Sequence, residues 1–103
     1  MDKIKPIVET LVELRVEAKK IKSEAELKET MHKYNMLIVG EKLNTIYARE
    51  LLHYLRENRD YHVAEEEFLS LIPVVCKQLG MTAEALVFLQ DPNRLADYQI
   101  TLF

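Results

Sequence analysis

The sequence predicts an all-α fold, a small antiparallel helical bundle of four main helices followed by a short C-terminal helix and an apolar tail. Apolar residues recur every three or four positions along most of the chain, which is the period of one face of an α-helix. The chain has only 2 glycines and 3 prolines, whereas sandwiches and barrels need turn residues about every 8–12 positions. With 103 residues, 49% of them apolar, we expect residues 1–103 to form a single helical domain.

The first helix is predicted from about Pro6 to Ile21. Pro6 suits the first turn of a helix, because a backbone N–H at that position has no partner within the helix. Apolar residues along this segment are spaced alternately three and four apart: Ile4, Ile7, Leu11, Leu14, Ala18 and Ile21. This heptad spacing indicates one helix face that packs against other helices.

The second helix is predicted to begin at Ser23. Ser23 and Glu26 fit a capping box, in which the serine hydroxyl accepts a hydrogen bond from the Glu26 amide. Gly40 fits the left-handed residue that often ends a helix, but a helix interior also tolerates glycine at a cost of about 1 kcal/mol relative to alanine. The sequence therefore leaves open whether the second and third helices are separate or continuous through Gly40.

The third and fourth helices are predicted over residues 44–58 and about 63–79. Asn44 is a suitable N-cap for the third helix, and Gly80 follows the end of the fourth. The apolar stripe of the fourth helix continues without interruption across Pro73. This continuity favours one kinked helix over two short helices divided at Ile72.

The C-terminal segment is predicted to begin with a short helix over residues 82–90. Thr82 would be its N-cap, and a further turn of helix would follow Asp91-Pro92 as far as about Asp97. The tail over residues 98–103 alternates in polarity and has strand character. A free apolar end is unusual, so the tail either docks on its own chain or on another chain.

Composition excludes several classes of function. The net charge of −3 argues against the concentrated basic face of most nucleic-acid binders, although it leaves a local basic patch open. It also gives no general attraction to anionic membranes. Two glycines cannot form a glycine-rich phosphate loop. The single cysteine, Cys76, cannot form an intramolecular disulfide, and no apolar stretch follows Met1 as in a signal peptide. We therefore expect a soluble, cytoplasmic protein.

Two Glu-x-x-His pairs are the sharpest enzyme-like feature: Glu29 with His32, and Glu50 with His53. In di-iron helical bundles, such pairs point into the core and meet glutamates from other helices. Helical geometry instead places both pairs away from the apolar stripes, towards solvent. We therefore assign no catalytic residue, cofactor or metal ligand, and keep a di-iron-like metal-binding bundle that uses Glu50 and His53 as an alternative.

A second alternative is a small DNA-binding regulator. Gly40 would be the turn of a helix-turn-helix motif, and residues 44–58 would be the recognition helix with Arg49 and Arg56 as contacts. Several glutamates share that surface and would repel phosphate. Nucleic acid is therefore not the favoured partner.

The remaining features favour a non-enzymatic protein-interaction module that associates with itself, as a homodimer, or with another protein. Tyr47, Tyr54 and Tyr61 repeat every seven residues, and tyrosine is enriched at interfaces. The tail adds three apolar side chains, Ile100, Leu102 and Phe103. These six residues are the predicted partner interface. The alternative is that the tyrosines and the tail pack against the core of their own chain.

Overall fold

A computed structural model describes residues 2–103, so Met1 of the predicted domain lies outside it. Over this range the chain forms four α-helices and a three-stranded antiparallel sheet. The helices are α1 (Lys5–Lys19), α2 (Glu24–Tyr34), α3 (Ala48–Asn58) and α4 (Glu65–Leu79), and the strands are β1 (Thr45–Tyr47), β2 (Thr82–Phe88) and β3 (Asp91–Thr101). The prediction of an all-α helical bundle is wrong, because the fold is α+β.

The local signals for the helices correspond to the structure in most places. The Ser23 hydroxyl accepts a hydrogen bond from the Glu26 amide at 3.2 Å and caps α2. Pro73 lies inside α4, which is one helix and ends at Gly80 in the left-handed conformation. The heptad residues Ile7, Leu11, Leu14 and Ala18 are buried within this chain.

The second and third helices are separate, and the helix-ending residue of α2 is Asn35 (φ 50°) rather than Gly40. Gly40 lies in the turn that follows, between Val39 and Thr45, which form an isolated antiparallel bridge. Its φ of +95° is in the left-handed region, and a Cβ there would lie 2.8 Å from the Thr45 hydroxyl. This tight turn leads into strand β1 at residues 45–47, so α3 begins at Ala48 and not at Asn44.

The C-terminal helix predicted over residues 82–90 is also wrong, because β2 and β3 form a hairpin. The sheet order is β1-β3-β2, so β3 pairs on both sides. Ile100 is fully buried and lies opposite Ile46 of β1 and Ala83 of β2. If residues 82–90 formed a helix, the backbone of β3 would lose its hydrogen bonds to β2, the longer of its two partner strands. Pairing with β3 therefore outweighs the local helix preference of residues 82–90.

The arrangement of α1 and α4 differs from the predicted antiparallel packing. Lys3, just before α1, forms an ion pair with Glu67 in the first turn of α4. Arg15, near the other end of α1, donates a hydrogen bond to the Leu79 carbonyl at the end of α4. The two helices therefore run side by side in the same direction, which the long connection through α2, β1 and α3 permits.

Candidate interaction surface

The turn of the β2–β3 hairpin carries the most exposed large apolar side chain of residues 2–103. Leu89 is 96% exposed, and Val87 beside it in β2 is 48% exposed. We use the name hairpin surface for the outer edge of residues 82–88 together with Leu89. Folding of a single chain leaves this apolar area in water, and exposed apolar area is a common mark of a partner site.

The outer edge of β2 has no strand and no hydrogen-bond partner beside it among the described residues. The sheet order gives β2 one partner, β3. No backbone or side-chain hydrogen bond within residues 2–103 reaches Thr82–Phe88 from outside that ladder. Every second residue of an edge strand presents its N–H and C=O groups away from the sheet, so these groups can pair with another strand.

The sequence of β2 lacks the usual protection of an edge strand. Natural edges are short, or they carry charged residues, above all lysine, or a proline or a β-bulge. The other edge strand, β1, has three residues, and Thr45 and Ile46 are buried. In contrast, β2 has seven residues with neither lysine nor proline, and Glu84 is its single charge. The two edges of the sheet are therefore unequal, and β2 is the one open to pairing.

The hairpin is irregular near its turn. Val87 lies opposite Leu95 and Phe88 opposite Asp91, so residues 92–94 bulge out of the ladder. The Arg94 guanidinium lies 4.9 Å from the centre of the Phe88 ring, within the range of a cation–π contact. Neither Arg94 nor Glu84 belongs to an ion pair within the described range. Two opposite, unpaired charges therefore accompany the apolar residues of the hairpin.

A cavity of about 470 Å³ lies between this turn and the start of α4. Phe88, Leu95 and Leu69 form its apolar wall. Arg49 also lines it, but both ends of its guanidinium contact the Glu65 carboxylate at 3.1 Å, so its charge is balanced within the chain. None of the eight lining residues is a histidine, cysteine, serine or threonine. Within the lining, the cavity therefore offers no thiol, hydroxyl or imidazole as a nucleophile.

Three of the six predicted interface residues are inside the chain. Tyr61 and Ile100 are 0% exposed and Leu102 is 1% exposed. The Tyr61 hydroxyl donates a hydrogen bond to the Lys3 carbonyl at 2.8 Å, and burial raises its pKa to about 12. Ile100 and Leu102 show that most of the tail docks on its own chain.

The other three predicted interface residues are partly accessible. Tyr47 and Tyr54 are half-buried, and the Tyr54 ring lies 5.4 Å from that of Tyr34. Phe103 is 40% exposed, and the Lys19 ammonium lies over its ring. Whether Tyr47, Tyr54 and Phe103 contact a partner stays a prediction.

A polar network beside Tyr54 connects three helices. The Tyr34 hydroxyl of α2 donates to one oxygen of the Glu13 carboxylate of α1 at 2.9 Å, and Arg59, just after α3, contacts the other at 3.0 Å. Burial, followed by the hydrogen bond to Glu13, raises the pKa of Tyr34 far above its usual value. The hydroxyl therefore stays protonated, and the network acts as a structural link.

The geometry does not bring Glu50 and His53 together as metal ligands. Glu50 accepts a hydrogen bond from the Leu37 amide, and His53 contacts Glu57 at 3.1 Å. Glu29 and His32 are exposed on α2. Within residues 2–103, no group of three or more histidine, cysteine, aspartate or glutamate side chains could hold a metal ion. The metal-binding alternative therefore receives no support from the structure.

The residues of the DNA-binding alternative are engaged within the chain. A strand, β1, directly precedes α3, so α2 and α3 do not form a helix-turn-helix unit. Arg49 is bound by Glu65, and Arg56 donates to the Val63 carbonyl at 2.9 Å. Neither guanidinium is presented freely for a phosphate or a base.

Cys76 is 1% exposed, and burial raises its pKa to about 11. The thiolate, which is the reactive form of cysteine, is therefore disfavoured. Cys76 is therefore a small residue of the core.

Sequence reasoning missed Glu84, Leu89 and Arg94, because it assigned their segments to helix. Two signals could have indicated the hairpin. The run from Leu86 to Leu89 contains residues that favour strands, and Asp91-Pro92-Asn93 directly after it favours a turn. The alternating tail also requires a strand partner, and this run is the nearest suitable segment.

Comparison with known proteins gave no match: no family model, no curated protein and no solved structure is similar to this chain. Across residues 2–103, every helix is too short or too polar to cross a membrane.

Proposed function

We propose that this chain is a non-enzymatic protein-interaction module that associates with itself through the outer edge of β2. The observation that carries the proposal is the unpartnered, seven-residue edge of β2, which lacks lysine and proline and continues into the exposed Leu89. Antiparallel pairing of β2 from two copies would give a continuous sheet of order β1-β3-β2-β2-β3-β1. Because each copy has one such edge, the assembly closes as a two-fold dimer.

The energetics favour a weak dimer. Pairing gives partners to the outward backbone groups of β2 and removes Val87 and Leu89 from water, and burial of apolar surface contributes about 25 cal/mol per Å². A contact of one strand and one turn is small, and interfaces below about 1,200 Å² are typical of weak, transient complexes. We therefore expect monomer and dimer to exchange, with the dimer favoured as concentration rises.

The cytoplasm is the compartment we propose for this association. The single cysteine, Cys76, is buried, so the dimer would depend on no disulfide. A reducing environment would leave such an interface unchanged.

The test is sedimentation velocity over a concentration series from about 1 µM to about 1 mM, which spans the range of weak association. We expect the wild-type chain to shift from monomer to dimer. Val87→Lys should remain monomeric, because a lysine in β2 places a charge at the pairing edge.

Val74→Lys is the matched control, because Val74 of α4 is 50% exposed and lies outside the hairpin surface. It should dimerise like wild type, and thermal unfolding should show that both variants fold. A wild-type chain that stays monomeric throughout, or loss of the dimer in V74K but not in V87K, would overturn the proposal.

A further inference from the structure

We infer that the two β2 strands pair in a register centred on Leu86, in which Glu84 of each copy forms an ion pair with Arg94 of the other. This inference rests on the proposed self-association and names its specificity-determining residues. It starts from Glu84 and Arg94, two charged residues of the hairpin that belong to no ion pair within residues 2–103. The other charged residues of the hairpin, Asp91 and Asp97, also form no ion pair, but their carboxylates accept hydrogen bonds from backbone N–H groups. Both side chains belong to exposed residues.

A two-fold axis perpendicular to the sheet requires a register centred on one residue, because residues directly opposite each other in an antiparallel pair point to the same face. A register centred on Ala85 pairs the whole strand and places Glu84 opposite Leu86 of the second copy. The two Glu84 carboxylates are then diagonal neighbours, and such neighbours are about 7–8 Å apart. Like charges at this separation repel each other across the pair.

A register centred on Leu86 removes this repulsion. Glu84 then lies opposite Phe88 of the second copy, and the two Glu84 positions are four residues apart along the ladder, which is about 14 Å at the rise of an antiparallel strand. The distance between the two like charges is therefore about doubled.

The same register supplies each Glu84 with a cation. Residues directly opposite each other have Cβ atoms about 4.5–5.5 Å apart, and the Arg94 guanidinium lies 4.9 Å from the Phe88 ring centre. Glu84, placed opposite Phe88 of the second copy, is therefore brought close to Arg94 of that copy. Two symmetric Glu84–Arg94 pairs result. Such pairs determine register and orientation more than affinity.

The apolar residues also fit this register. Leu86 meets Leu86 at the axis, Ala85 lies opposite Val87, and Ala83 lies opposite Leu89. Leu89, which is 96% exposed in one chain, thereby gains an apolar neighbour. In the register centred on Ala85, Leu89 instead falls opposite Met81, which is buried and precedes the strand.

Charge reversal tests the ion pairs. Glu84→Arg places two arginines at each contact, and Arg94→Glu places two acids there, so we expect each single variant to dimerise about tenfold more weakly than wild type. The double variant E84R/R94E restores opposite charges and should regain dimerisation.

An equimolar mixture of E84R and R94E is the sharpest form of this test. In a heterodimer of these two variants, both contacts pair an arginine with a glutamate. We expect the heterodimer to form at concentrations at which each variant alone is monomeric. Misfolding of either variant could not produce this result. Weakened single variants with no recovery in the mixture or in the double variant would overturn the ion pairs.

Disulfide trapping measures the register itself and separates it from the proposed function. Under mild oxidation, Leu86→Cys should form a covalent dimer, because the two residues face each other at the axis. Ala85→Cys should form little, because its two copies are diagonal and too far apart for a bridge. Efficient trapping of A85C but not L86C would overturn this register and leave edge pairing intact. No trapping of either, together with a monomeric wild type, would overturn both.

Discussion

Thr10 is the one buried side chain in residues 2–103 whose polar atom has no hydrogen-bond partner. It is fully buried on the core side of α1. A buried, unsatisfied polar group costs about 1–3 kcal/mol. The helix gains nothing from the hydroxyl in return, since threonine and valine have similar helix propensities.

We therefore expect Thr10→Val to raise the free energy of unfolding by about 1 kcal/mol, measured by chemical denaturation. Thr30→Val is the matched control, because the Thr30 hydroxyl donates to the Glu26 carbonyl at 2.9 Å and is half-exposed. T30V should give no such gain. A T10V chain that is less stable than wild type would show that this hydroxyl has a partner in solution.

At the scale of elements, the turn after α2 depends on Gly40, whose φ is +95°. Gly40→Ala forces a side chain into this conformation and against Thr45, so we expect a loss of about 1–3 kcal/mol in unfolding free energy. Gly80→Ala is the control: Gly80 has φ +70°, but a Cβ there would meet no atom within 4 Å. G80A should cost about 1 kcal/mol, the conformational term alone. Equal losses in both variants would contradict the tight contact with Thr45.

The four helices could be predicted because their signals are local. Ser23 caps α2 through a residue three positions away, and the stripe of α4 continues across Pro73 within one helix. The hairpin could not be predicted in the same way. Residues 82–86 favour helix, and the turn at Leu89-Gln90 has neither the asparagine nor the glycine that usually identifies a two-residue turn.

Sequence analysis missed the hairpin surface for the same reason. The tyrosines and the apolar tail were reasonable interface candidates by composition, but Tyr61, Ile100 and Leu102 complete the core of the chain. Only the pairing of β2 with β3, which leaves the other edge of β2 open, makes interface candidates of Glu84, Leu89 and Arg94. Burial and strand pairing are properties of the tertiary structure, and the period of apolar residues does not encode them.

At the scale of the whole molecule, the sheet has one long edge strand, β2, that is open to pairing. Helices α3 and α4 pack against the sheet, and β3 is central with β1 and β2 on either side. One edge strand of the sheet, β1, is short and mostly buried. The other edge strand, β2, is longer and has no strand beside its outer edge. A second copy is the simplest partner for this edge, because it brings a strand of the same length and the opposite charge for each of Glu84 and Arg94.

Backbone amide hydrogen exchange, followed residue by residue at low and high protein concentration, tests the central claim most directly. In dilute solution, amides of β2 that face β3 should be protected and those on the outer edge should exchange freely. At high concentration the outer-edge amides should become protected, while the exchange of β1 amides stays unchanged. Contiguous protection over residues 82–90 in dilute solution, as in a helix, or free exchange at the outer edge at every concentration, would contradict the account.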